Sequence, residues 1–179
     1  MVYIFLADGF EETEALLTVD ILRRGGVDVK TVSITKELVV TGAHGVPVVA
    51  DISFKKLQQN PEAVILPGGM PGTLNLGKSE IVKKAVFEAY ESGKIVAAIC
   101  AAPTVLYSYG LLNGKRATSY PGYEDEMKAC IYTENAVETD ENIVTSRGAG
   151  TTHLFAAKLL EMLKNKETAE HILSAMQYK

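Results

Sequence analysis

Three unbroken apolar runs constrain this chain more than any other feature: Val2-Tyr3-Ile4-Phe5-Leu6-Ala7, Ala63-Val64-Ile65-Leu66 and Ile95-Val96-Ala97-Ala98-Ile99. A strand with one face in water alternates apolar and polar residues. A run without alternation is a strand buried on both faces, which is the signature of a parallel sheet covered by helices. Each run stops abruptly, at Asp8-Gly9-Phe10, at Pro67-Gly68-Gly69 and at Cys100 respectively. Parallel strands need long crossovers, so the segments between the runs must contain helices.

The intervening sequence fits that requirement. Glu11-Glu12-Thr13-Glu14 opens a helix whose apolar positions Leu16, Leu17, Val19, Ile21 and Leu22 continue to Arg23-Arg24. Acids in its first turn and arginines in its last complement the helix dipole, and Gly25-Gly26 ends it. Residues 27–34 read as a second strand, so the first ~35 residues are β-α-β. Two short strands around Thr41-Gly42-Ala43-His44-Gly45 follow, with Pro47 marking an edge position. Residues 54–59 are expected to form a short helix. Ser79 caps a helix through Tyr90, and Gly93 ends it. A short strand is expected at 116–118, a hairpin over 137–145, and helices over 152–163 and from Glu167 to about Met176. The order predicts a single α/β domain spanning 1–179, a doubly wound, flavodoxin-like sandwich with a mostly parallel central sheet and helices on both faces. In such folds ligands sit beyond the carboxyl ends of the strands. The loops 8–14, 67–72 and 100–103 all lie there on this reading, and the glycine loop 146–151 is positioned to join them.

At the end of the third run, Ala98-Ile99-Cys100-Ala101-Ala102-Pro103 places a cysteine between a buried strand and a helix starting near Pro103. Proline suits the first helical turn because its missing N–H has no partner there anyway. Ala98 and Ala102 flank Cys100 at two residues on either side, the small-x-nucleophile-x-small spacing of a nucleophile elbow. Free N–H groups at the helix start are expected to favour thiolate over thiol. An inert, buried cysteine is the alternative reading of this stretch. Cys130 has no such surroundings and reads as structural.

Composition excludes several functions. Net charge is −4, with Lys+Arg 18 against Asp+Glu 22, and no basic stripe marks a nucleic-acid surface. The N-terminal apolar run is too short to span a membrane and lacks a basic leader segment, so no membrane partner is expected. Two cysteines make no disulfide framework, which fits a reducing cytoplasm. The histidines His44, His153 and His171 lack ligand spacing, and the glycine loops lack the dinucleotide pattern. Neither a metal nor another cofactor is expected.

Four segments in order, Gly9-Phe10-Glu11-Glu12-Thr13-Glu14, Leu66-Pro67-Gly68-Gly69, Ala97 through Pro103, and Thr145-Ser146-Arg147-Gly148-Ala149-Gly150-Thr151, resemble the ThiJ/PfpI superfamily, specifically its Parkinsonism-associated deglycase branch. The resemblance covers essentially the whole chain. It implies a flavodoxin-like fold, a homodimer and an oxidation-prone nucleophilic cysteine facing a glutamate. Carried over by motif position, Cys100 is that cysteine and Glu14 its partner. Gly69 and Ala101 would supply N–H groups to an oxyanion. Arg24 and the Ser146 hydroxyl would line an anion-binding spot, although Arg24 also fits plain dipole compensation. The implied activity is cofactor-independent conversion of a small carbonyl substrate, methylglyoxal or glyoxal, to a hydroxy acid, or deglycation. The other implied function is redox sensing or chaperone-like action through oxidation of Cys100.

The chain departs from relatives in two places. Ala101 stands where the protease-like branches have histidine, so an adjacent Cys-His dyad is not expected. Tyr120 stands before Pro121 where many relatives carry histidine. It can bond through its hydroxyl but is no base near neutral pH. His44 occupies a turn where the resemblance places an arginine reaching across a dimer. A carboxyl beside a thiolate resists ionisation through like charge and desolvation, so Glu14 is expected to hold a raised pKa.

Overall fold

The computed structural model describes residues 1–178. The three apolar runs become the centre of one sheet. In chain order the elements are β1 (Val2–Leu6), α1 (Glu12–Arg24), β2 (Val29–Ser33), β3 (Val39–Thr41), β4 (Pro47–Val49), β5 (Ile52–Ser53), β6 (Ala63–Leu66), α2 (Gly72–Gly77), α3 (Glu80–Glu91), β7 (Ile95–Ile99), α4 (Pro103–Ser108), β8 (Arg116–Ala117), β9 (Ile131–Tyr132), β10 (Val137–Asp140), β11 (Ile143–Ser146), α5 (Thr152–Leu163) and α6 (Lys166–Ala175). The main sheet has seven strands in the order β10-β11-β7-β6-β1-β2-β5. Every neighbouring pair is parallel except β10 with β11.

Side-chain alternation along β1 explains why this sheet needs two helical layers. Val2, Ile4 and Leu6 join Ala15 and Leu22 of α1, Phe155 and Leu159 of α5, and Ala169 of α6 on one face. Tyr3 and Phe5 point to the other face, against Leu76 of α2, Val82 and Val86 of α3 and Leu106 of α4. All five residues of β1 are buried, so a polar substitution on either face would strand an unpaired group. This is the flavodoxin-like, doubly wound α/β sandwich read from the sequence.

The differences are in short elements. Residues 54–59 form only a 3₁₀ turn at Phe54–Lys56. β5 extends the sheet by pairing with β2, and β9 pairs parallel with β8 outside the main sheet. Two-residue strands are held by their neighbours and carry no periodicity of their own. β3 and β4 form a separate antiparallel hairpin, in which Pro47 opens an edge strand. That hairpin is strapped to the loop after β1: Gly9 N–H donates to Thr41 O at 2.8 Å and Ala43 N–H to Phe10 O at 2.8 Å.

At the carboxyl ends of the central strands the loops tie to one another. Glu11 N–H donates to Gly68 O (2.9 Å), Gly72 N–H to Gly9 O (3.1 Å) and Cys100 N–H to Ser146 O (3.0 Å). These bonds tie the four segments in two pairs, the 8–14 loop with the 67–72 loop and Cys100 with Ser146, along one rim of the sheet.

Candidate active site

Glu14 reaches this rim from the first turn of α1. The helix is capped by Glu11, whose Oε2 accepts the Glu14 N–H at 2.6 Å. Glu14 is 1% exposed. Its Oε2 accepts the Gly68 N–H at 2.8 Å, whereas its buried Oε1 has no hydrogen-bond partner. Burial lifts its pKa to about 7. The Gly68 N–H opposes the rise, and the negative charge of Glu11 adds to it. A half-satisfied carboxyl in such a place is a proton donor and acceptor near neutral pH.

Cys100 ends β7 with φ at 65°, a left-handed conformation that costs a residue with a Cβ on the order of 1 kcal/mol. The turn is held on both sides: Cys100 N–H donates to Ser146 O, and Cys100 O accepts the Tyr120 N–H at 2.8 Å. Ala98 and Ala102 are fully buried on either side, and Pro103 is the first residue of α4. Larger side chains at these alanines would not fit the strand-to-helix corner.

Two glycines fix the approach of the Pro67 loop. A Cβ on Gly68 would lie 2.6 Å from Cys100 Cβ and 2.8 Å from Glu14 Oε2, so only a glycine lets the loop pack against both side chains while thiol and carboxyl face each other. Gly69 has φ at 89°, and a side chain there would meet Gly9 O at 2.5 Å. The N–H groups of Gly69 and Ala101 both act on Cys100 and pull its pKa down. They do not win. Burial first, and the facing charge of Glu14 second, push the Cys100 thiol up to about 12. The sequence-based expectation of a thiolate favoured by the helix end is therefore corrected. α4 has only six residues, and its start cannot outweigh desolvation plus a buried carboxylate.

Gly148 closes the site from the β11 side. A methyl on its Cα would lie 3.9 Å from Cys100 Sγ, 3.9 Å from Glu14 Oε1 and 3.3 Å from the Tyr120 ring. Sulfur, carboxyl and ring thus border the position of one carbon on Gly148. Tyr120 and Gly148 also line a shallow cleft of ≈ 270 Å³ with Pro121 and the rest of the 147–151 loop.

Glu14, Cys100, Gly69, Ala101 and Tyr120 are thus brought together. Arg24 is not. It ends α1 ten residues after Glu14, about 15 Å along the axis. Its Nε donates to Asp20 at 2.8 Å on the exposed surface. Ser146 is adjacent through its backbone only: its buried hydroxyl donates to Ala136 O and meets Thr151 Oγ1, each at 2.7 Å. Within the single chain, Arg24 and the Ser146 hydroxyl are not brought together. His44 is exposed and bonds Glu12 through its ring Nδ1 at 2.7 Å and its N–H at 2.8 Å, and Glu12 raises its pKa. Glu11, Glu12 and His44 are the residues whose ligand atoms cluster closely, within 4.8 Å, among the described residues. An ion pair between Glu12 and His44 accounts for that grouping. Cys130 donates from its sulfur to Met127 O at 3.0 Å, away from the site.

Sequence reasoning missed Gly68, Gly148 and Tyr123. Tyr123 lies in the turn after Tyr120, where burial, then the charge of Cys100, raise its phenol pKa. The second tyrosine of Tyr120-Pro121-Gly122-Tyr123 was its available signal.

A doubly wound α/β sandwich with a thiol on a strand-to-helix elbow, set against a buried carboxyl, defines a flavodoxin-like protein with a cysteine-centred site. The chain belongs to the DJ-1/PfpI family, whose model matches residues 1–162. It is 36% identical over 174 residues to the Parkinson disease protein 7 homolog of Danio rerio, covering 94% of this chain and 92% of that protein. It is 40% identical over 174 residues to protein DJ-1 homolog B of Arabidopsis thaliana, covering 96% of this chain and 40% of that protein. The chain spans less than half the length of the two Arabidopsis homologues it matches. The solved structure of oxidized Toxoplasma gondii DJ-1 superposes with a TM-score of 0.96 at 36% identity, covering 99% of this chain and 97% of that one.

The tightness at Gly68 gives a direct expectation. Gly68→Ala should destabilise the fold by about 1–3 kcal/mol through overpacking. It should also drive Cys100 and Glu14 apart. Denaturant melts and the alkylation rate of Cys100 check both, and an unchanged pair would contradict the close approach.

Proposed function

We propose that the chain is a cofactor-independent cysteine enzyme that converts small dicarbonyls to hydroxy acids, with deglycation as a related activity. The observation that carries this reading is the buried Glu14 carboxyl, with one oxygen unpartnered, bordering the same space as Cys100 Sγ. A homologue in Pyrococcus abyssi, 36% identical over 169 residues, bears the name deglycase and supports the same reading.

The chemistry balances without a redox partner. Cys100 sulfur bonds to the aldehyde carbon of methylglyoxal as its proton passes to Glu14, giving a hemithioacetal. The N–H groups of Gly69 and Ala101 hold the developing oxyanion. Glu14 gives its proton to that oxygen, then removes the hydrogen from the former aldehyde carbon as the ketone oxygen takes a proton from water, forming an enediol. Glu14 returns its proton to the neighbouring carbon while the hydroxyl on the sulfur-bearing carbon gives its proton back to solvent, leaving a 2-hydroxyacyl thioester. Water adds, the carbon–sulfur bond breaks, and lactate leaves as the thiol is restored. Net change is methylglyoxal plus water to lactic acid. Purified protein should therefore form lactate from methylglyoxal without glutathione. Turnover no faster than that of Cys100→Ala overturns the reading.

Redox sensing is the second reading, supported by the unpartnered Oε1, which in protonated form could donate to an oxygen on sulfur. Mild peroxide with intact-mass readout separates the two. Addition of two oxygens at Cys100 with negligible dicarbonyl turnover favours the sensor.

A second copy of the chain is the proposed partner, in the cytoplasm. Val39 (56% exposed), Val49 (69%), Val46 and Leu16 leave apolar side chains in water on the β3–β4 hairpin and the adjoining α1. Size-exclusion with light scattering should give twice the chain mass, and Val49→Lys should shift it towards one. A monomeric parent would refute this.

A further inference from the structure

We propose that the cleft beyond Gly148 is a subsite for a flat apolar group on the substrate, with the Tyr120 ring as its wall, so that the site favours aryl ketoaldehydes over methylglyoxal. This deepens the dicarbonyl reading and rests on it. A ketoaldehyde has two reacting carbons, and whatever hangs from the ketone must leave the corner between Cys100 and Glu14. On one side the exit is shut by the Gly68 backbone, where even a single carbon would overlap Cys100 Cβ and Glu14 Oε2. Beside Gly148 the side chains stand further off: a carbon there would lie 3.9 Å from Sγ and from Oε1, and 3.3 Å from the edge of the Tyr120 ring.

Tyr120 and Gly148, which border that position, also line an open surface cleft of ≈ 270 Å³. Its floor is the small-residue turn Gly148-Ala149-Gly150, over which a flat ring can lie without meeting a side chain larger than methyl. Tyr120 is 52% exposed, so its ring is not spent on the core. Its position is nonetheless fixed. Its N–H bonds the nucleophile's own carbonyl at 2.8 Å, and its carbonyl accepts the Ser119 hydroxyl at 3.2 Å and the Tyr123 N–H at 3.4 Å. Pro121 stiffens the following step. Arg147 also lines the cleft, and its Nη1 donates to Glu134 O at 3.2 Å. An exposed aromatic face held at a set distance from a nucleophile is a recognition surface for another ring, because offset or edge-on aromatic pairs gain beyond the area they bury.

The test compares phenylglyoxal with methylglyoxal on the parent, Tyr120→Ala and Tyr120→Phe. The ratio of kcat/KM for the two substrates should fall about tenfold in Tyr120→Ala, chiefly through KM for phenylglyoxal, and hold within twofold in Tyr120→Phe. An unchanged ratio in Tyr120→Ala overturns the subsite, and so does an equal fall in Tyr120→Phe. A second readout needs no turnover. Cys100 displaces bromide from phenacyl bromide or bromoacetone, forming a carbon–sulfur bond as bromide leaves and the thiol proton goes to solvent. The ratio of these two capture rates, followed by intact mass, should also fall about tenfold from the parent to Tyr120→Ala. If the parent turns over neither ketoaldehyde, the dicarbonyl function fails while the capture ratio still decides the subsite.

Discussion

Cys100→Ala should reduce methylglyoxal turnover by on the order of a thousandfold or more, with little change in stability. The expectation follows from the position of the sulfur rather than from the presence of a cysteine. Cys130 is also half-buried, yet its sulfur bonds a carbonyl and no carboxyl faces it. Cys100 sits at a left-handed turn between β7 and α4, with Glu14 on one side and two N–H groups on another. Removing the sulfur leaves the backbone bonds to Ser146 and Tyr120 intact, so the rim should keep its shape. Cys130→Ala is the matched control and should leave turnover within about twofold of the parent, since that side chain lies outside the site. Lactate formation measured on both variants checks the pair of statements. Activity retained in Cys100→Ala would remove the nucleophile from the mechanism and leave the elbow a structural corner.

The central sheet could be read because the strands that form it are buried on both faces, and burial erases alternation from the sequence. The helix α1 could be read because its charges and glycines mark both ends. β5 and β9 could not, since two residues have no period and their pairing is decided by β2 and β8. The site divides in the same way. Cys100, Gly69 and Ala101 occupy loops, and Glu14 a first helical turn, that any parallel α/β sandwich gathers at its carboxyl edge. Arg24 was placed there by motif position, but a helix advances ~1.5 Å per residue and carries residue 24 to its opposite end. The helix-end argument for a thiolate used only residues adjacent to Cys100. The dominating causes are burial by the packed loops and the charge of Glu14, 86 positions earlier, and both exist only once the loops have closed. Gly68 shows the same limit. Its sequence signal is a glycine pair, whereas its role is to leave room for a thiol and a carboxyl to meet beside its bare backbone.

Glu14→Gln should separate stability, thiol reactivity and turnover, moving the first two up and the third down. The folded-state pKa of Glu14 is raised from 4.5 to about 7. Between those values the folded state binds more protons than the unfolded state, so stability falls as pH rises through this window. The full span corresponds to about 3 kcal/mol of destabilisation above pH 7, at 1.36 kcal/mol per unit. Glutamine carries no charge at any pH. Its carbonyl can still accept the Gly68 N–H, so the variant should lose that slope and exceed the parent in stability at pH 8. The same neutralisation removes the negative charge facing Cys100, which helps hold the thiol at about 12. Iodoacetamide should then alkylate Cys100 faster at pH 8 in the variant than in the parent. Turnover should nevertheless fall by about 10²–10⁴-fold, because an amide cannot take the thiol proton or move hydrogen between the two substrate carbons. Melts from pH 4 to pH 8, alkylation rates and lactate formation measure the three effects. A merely structural Glu14 would lose stability on substitution and leave the alkylation rate unchanged. A buried acid kept for chemistry destabilises the resting fold, and removing it shows that cost directly.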